Sequence, residues 1–120
     1  MINVSKSAET LQDGIANMMA GAKDDYKQNS LMGKSELSSY CKEKLENFES
    51  QTTVREGKKY IKVIYDRSVF AFIVKEDFKH FKKGDVLKPA GWAAPALNQP
   101  RGNVLKGNYP IQWTGPLYLN

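Results

Sequence analysis

Near residue 50 the apolar residues change from a helical to a strand spacing, and this switch restricts the possible fold more than any other feature of the chain. Before it, Leu11, Ile15, Met18, Met19 and Ala22 line one face of an α-helix, and Leu37, Tyr40, Cys41, Leu45 and Phe48 follow the same spacing. Ser5 or Ser7 is the expected cap of the first helix and Ser35 that of the second. Gly14 and Gly21 each weaken a helix by roughly 1 kcal/mol relative to alanine, so the first helix is expected to depend on docking. Residues 24–34 are polar, contain Asn29, Ser30 and Gly33, and read as a connector.

After Ser50 the period becomes two. Thr52-Thr53-Val54, a turn at Glu56-Gly57 and the alternating stretch 59–65 predict a hairpin. A tight connection at Asp66-Arg67-Ser68 leads into 69–74, apolar on both faces, which predicts a central strand covered by the helices on one side. Residues 76–81 read as a short helical turn, and 82–85 as a turn into a strand over 86–88. Beyond that, five prolines and repeated glycines punctuate a long segment carrying Trp92, Tyr109, Trp113 and Tyr118, which either wraps the domain or forms a binding loop. The expected architecture is α+β: two N-terminal amphipathic helices packed on a small antiparallel sheet, followed by a long irregular C-terminal segment. One domain over 1–120 accommodates it, with a helical part to residue 50 and a β-rich part from 51.

Charge divides at the same place. Residues 1–53 hold six basic and eight acidic side chains, net −2, whereas residues 54–120 hold twelve basic and five acidic, net +7, together with both tryptophans. A cationic, aromatic-rich half attracts phosphates and offers rings on which bases stack, although solubilising surface charge has the same composition. The single cysteine, Cys41, gives no internal disulfide, and no secretion signal or apolar run of the ~20 residues needed for a membrane span is visible, so a cytoplasmic protein without a membrane partner is expected.

Motifs for chemistry are weak. Gly33-Lys34-Ser35 looks like the end of a phosphate-binding loop, but Gln28 stands where that loop needs glycine. His80 has no partner at metal-ligand spacing, Cys41 lies on an apolar helical stripe, and Glu76, Asp77 and Asp85 sit among lysines as turn residues do. A binding protein with no catalytic residue, metal or cofactor is therefore expected. The candidate ligand-binding set is Arg67, Lys88, Trp92, Arg101 and Asn103: arginine supplies a planar fork for phosphate, tryptophan a stacking face, and asparagine a donor and an acceptor for a base or ribose edge. The structural alternative has Trp92 plugging the open sheet face and Arg101-Gly102-Asn103 forming a turn held by side-chain bonds.

The stretches Lys59-Tyr60-Ile61-Lys62-Val63, Arg67-Ser68-Val69-Phe70-Ala71-Phe72-Ile73, 84–96 and Arg101-Gly102-Asn103-Val104 resemble small proteins encoded by tailed bacteriophages. The likeness covers the second half and implies a phage accessory or host-takeover protein. The order of elements is also similar to that of phage anti-Thoeris sponge proteins, which sequester cyclic ADP-ribose signals without cleaving them. The second resemblance implies an anti-defence protein that sequesters a nucleotide signal, and with the cationic half the expectation widens to a phosphate-bearing ligand such as a nucleotide signal or short nucleic acid. Two other functions fit the sequence: an inhibitor that grips a host protein through Trp113 and Tyr118, or a virion component. Subunits of a homo-oligomer could share a site.

Overall fold

Thr10 caps the first helix: its hydroxyl accepts the Asp13 amide at 3.1 Å, so neither Ser5 nor Ser7 takes the role expected of it. The computed structural model describes residues 1–31 and 36–117. The chain begins with β1 (Ile2–Val4), and α1 runs over Leu11–Leu31. Most of the expected connector is therefore helix. Asp25 and Tyr26 extend the buried stripe of Ile15, Met18, Met19 and Ala22 by one more turn. Asp25 hides that continuation because a carboxylate at a core-facing position reads as solvent-facing. It is 1% exposed, with Oδ2 accepting the Trp113 amide at 2.9 Å and Oδ1 paired with the Met1 ammonium.

Helix α2 covers Ser39–Glu46 and is capped by Ser38, whose hydroxyl accepts the Cys41 amide at 3.2 Å; the expected cap, Ser35, lies outside the described residues, as does the whole of the loop-like Gly33-Lys34-Ser35. Cys41 and Leu45 pack against the core, and Phe48 is buried just past the helix. Tyr40, expected on the apolar stripe, is instead exposed.

Strands β2 (Thr52–Glu56), β3 (Tyr60–Tyr65), β4 (Ser68–Val74) and β5 (Val86–Leu87) form an antiparallel sheet in sequence order. Between β3 and β4 the register slips by one residue after Val63. The extra residue is Phe70, and its consequence is visible in the packing. Phe70 and Ala71, adjacent in sequence, both join the core under the helices, while Val69 and Phe72 face the opposite side. That opposite side has its own small cluster of Phe72, Val74, Phe81 and Leu87, edged by Tyr60 and Phe78. Both faces of β4 are thus buried, as its uninterrupted apolar run demands.

Two expectations for the second half need correcting. Residues 76–81 form no helical turn; Phe78 and Phe81 exchange backbone hydrogen bonds of 3.1 and 2.9 Å, with Lys79 in the left-handed region. The C-terminal segment is also less irregular than its prolines and glycines indicate. Residues 101–104 run beside β5, with Val86 donating to Gly102 and Arg101 to Val86, and β6 (Tyr109–Ile111) pairs antiparallel with β1. The two ends of the described chain are thereby joined.

The helical glycines mark close approaches. A Cβ on Gly14 would lie 2.6 Å from the Val104 carbonyl oxygen, and one on Gly21 would lie 2.9 Å from Val4 Cγ2. Gly14→Ala should therefore reduce stability by about 2 kcal/mol despite alanine's better helix propensity, because the 104 backbone must move. Chemical denaturation measures the sign, and a stabilised variant would contradict the close packing. Among the described residues no helix is long and apolar enough to cross a membrane.

Candidate functional site

The loop after β5 doubles back on itself. Ala96 donates to the Lys88 carbonyl at 2.8 Å, and Ala90 and Gly91 both donate to Ala94, so residues 88–96 make a narrow projection with Trp92 at its end. Its proline and glycine content suits a turn more than a strand. Trp92 is 52% exposed, and the Lys62 ammonium lies 4.4 Å from its ring centroid. Lys62 was not among the sequence candidates. The signal for it was present, since the alternation that turns Ile61 and Val63 toward the helices turns Lys62 to the other face.

Arg67 occupies the tight Asp66-Arg67 turn between β3 and β4, in which Asp66 takes the left-handed conformation that short polar side chains tolerate. It is exposed and lines an open groove of about 320 Å³ with Ser68, Val69, Pro89 and Trp92. Arg67 and Trp92 are thus brought to one surface.

Lys88 and Arg101 form a second, more enclosed pair. The Arg101 amide donates to Val86 at 2.8 Å, which fixes residue 101 beside β5. Lys88 Nζ donates to the Pro116 carbonyl at 2.9 Å. Burial holds the Lys88 ammonium below its ordinary pKa, and the nearby Arg101 charge lowers it further; burial also lowers that of Arg101. The Arg101 side chain is partly exposed, yet its Nε and Nη1 are buried and find no hydrogen-bond partner among the described residues. Tyr109 Oη is unpartnered too, but it lies in the core at 3% exposure, where no solute reaches it.

Asn103 does not join the surface. It is 8% exposed, and its amide bonds Lys83, Asp85, Leu105 and Lys106, leaving it to hold two turns together. Trp113 lies with the helices, its ring edge-on to Tyr26 at 5.1 Å and the Lys44 ammonium 5.0 Å from its centroid. Tyr118 lies outside the described residues.

A family model described as a family of unknown function, DUF7717, matches residues 1–119. The chain belongs to that family. No curated protein and no solved structure matches it. The site's chemistry therefore rests on its own geometry: an open groove with an arginine and an exposed indole, which neither Lys88 nor Arg101 lines, and two partly desolvated cations near enough for the Arg101 charge to act on Lys88. Such a place attracts an anion, because a partly dry environment strengthens charge–charge attraction relative to water. The potential nucleophile and base are placed differently. Cys41 Sγ accepts from the Tyr26 hydroxyl at 3.7 Å on the helical side, and His80 Nε2 is 2.8 Å from the Asn98 carbonyl oxygen.

Proposed function

We propose that the protein binds and retains a phosphate-bearing ligand, a nucleotide signal or a short nucleic acid, through Arg101, Lys88 and Arg67, with Trp92 supplying a stacking face. It acts by sequestration and does not transform the ligand. The observation that carries this reading is Arg101: a guanidinium near enough to Lys88 for its charge to act on that ammonium, with two of its nitrogens buried and without a hydrogen-bond partner among the described residues. Such an arrangement opposes folding, and chains keep features of that kind where function needs them. An anion reaching its exposed part would offset the charge. The likeness of the second half to small phage-encoded proteins suggests a host-takeover or anti-defence setting.

The test is a thermal-shift screen with cyclic and linear nucleotides, pyrophosphate and short single-stranded DNA. At a hundredfold excess over its dissociation constant a true ligand stabilises the native state by about 2.7 kcal/mol, a clear rise in Tm. Calorimetry of the hit at two salt concentrations then separates the ligand classes. Nucleic acid loses affinity steeply as salt rises because counterions are released, whereas a nucleotide held by two or three cations loses much less. No shift across the whole panel would remove the proposal.

A further inference from the structure

We propose that the chain forms a two-fold dimer by antiparallel pairing of β2 with β2 of a second copy, centred on Val54. Strand β2 stands at the edge of the four-stranded sheet, and residues 53–56 are exposed. An open edge presents unpaired backbone groups that natural proteins shield by charged side chains, by proline, by a bulge or by a covering element; the charges here, Arg55 and Glu56, are of opposite sign and so do not by themselves repel a second copy. This edge contains no proline, and its pairing with β3 is regular from Thr52 to Glu56.

The hydrogen-bond alternation shows which groups face outward. Gly57 donates to Tyr60 at 2.8 Å and Asp66 to Gln51 at 2.8 Å, so Gly57, Arg55, Thr53 and Gln51 direct their backbone groups toward β3. Val54 and Glu56 therefore direct their N–H and C=O groups away from the sheet, as Thr52 does its carbonyl. The Thr52 amide is already satisfied by the Glu49 carbonyl at 3.1 Å.

These outward groups complement a copy of themselves. With the axis at Val54, Val54 exchanges two hydrogen bonds with Val54 of the second copy, and each Glu56 amide donates to Thr52 of the other chain. Arg55 then opposes Thr53, and Glu56 opposes Thr52, so no like charges meet. Moving the axis one residue toward the C-terminus sets Arg55 against its own copy, which is destabilising. Moving it one residue the other way takes Arg55 and Glu56 out of strand-to-strand pairing. One register is thus favoured by both bonding and charge.

The apolar surface agrees. Val54, 50% exposed, points into a groove of about 540 Å³ lined by Leu11, Ile15, Met19, Phe48 and Ile61. The two-fold axis keeps both copies' helices on the same face of the joined sheet, so the two grooves meet across the paired Val54 side chains.

Light scattering on the full chain should give twice the 13.5 kDa chain mass, and Val54→Lys should return it to one chain mass with an unchanged circular dichroism spectrum. Register is read by crosslinking in a Cys41→Ser background. Val54→Cys should form an intermolecular disulfide under mild oxidation, since directly opposed Cα atoms lie within bridging distance, and Arg55→Cys should not. An equimolar mixture of Thr53→Cys and Arg55→Cys should give the mixed dimer. A monomer at every soluble concentration, a dimer indifferent to Val54→Lys, or equal crosslinking at 54 and 55 would overturn the proposal. So would a monomer whose β2 edge instead takes up an extended peptide.

Discussion

Replacing Asn103 by alanine is expected to lower stability by about 3 kcal/mol, with a fall in Tm on the order of 10 °C. The side chain makes four hydrogen bonds from a buried position. Nδ2 donates to the Lys83 carbonyl and to Asp85 Oδ1, both at 2.9 Å, and Oδ1 accepts the amides of Leu105 at 2.9 Å and Lys106 at 3.1 Å. One amide therefore ties the turn before β5 to the turn after residue 103. Asp85 completes the knot, its Oδ2 accepting the Lys82 amide at 2.8 Å. Truncation leaves two N–H groups and two oxygens to find new partners, and buried groups that fail to do so cost 1–3 kcal/mol each. Asn103→Asp keeps the shape and the acceptor but sets a carboxylate against Asp85. It should be at least as damaging at neutral pH. Urea denaturation of both variants checks this. A wild-type-like Asn103→Ala with weakened ligand affinity would instead return Asn103 to the binding surface.

Asp25→Ala is expected to cost about 3 kcal/mol, the upper end for losing a hydrogen bond to a buried charged group, since the Met1 partner of the ion pair is itself half exposed. The Asp25 carboxylate links α1 to the Trp113 amide, 88 residues away in sequence, and to the Met1 ammonium. Losing it leaves the Trp113 N–H unsatisfied and loosens both the β1 end and the C-terminal segment where they meet α1. Asp25→Asn keeps an acceptor for that amide while removing the charge, so its cost should be smaller, about 1 kcal/mol. Amide exchange distinguishes this account from a general loss of stability: in Asp25→Ala, β1 and β6 should lose protection before the four-stranded sheet does.

What could be read from the sequence follows from how local each signal is. Strands β3 and β4 were legible because alternation over 59–65 and an apolar run over 69–74 leave few other conformations. The face of α1 was legible as far as Ala22 and obscured at Asp25, where the stripe continues through a buried carboxylate whose partners are distant in sequence. The β1–β6 pair was not legible. Each strand has three residues, β6 contains Pro110, and the pairing of Ile2 with Ile111 spans nearly the whole chain. At the candidate site, residue types drew attention to Arg67, Lys88, Trp92, Arg101 and Asn103, and the structure sorts them by environment. Arg67 and Trp92 share an open groove, Lys88 and Arg101 form a partly buried pair, and Asn103 is taken up by backbone contacts. Residue type alone does not separate a ligand-facing asparagine from one that holds a turn, because both use the same donors and acceptors.

If Arg101 is kept for a ligand at the expense of the unliganded fold, Arg101→Met should separate the two roles. Methionine fills similar space without buried donors, so the unliganded variant should be more stable than wild type by about 1 kcal/mol, and the stabilisation given by the phosphate-bearing hit should disappear. A variant that melts lower than wild type yet keeps the full ligand-induced shift would show that Arg101 holds the fold together and binds nothing.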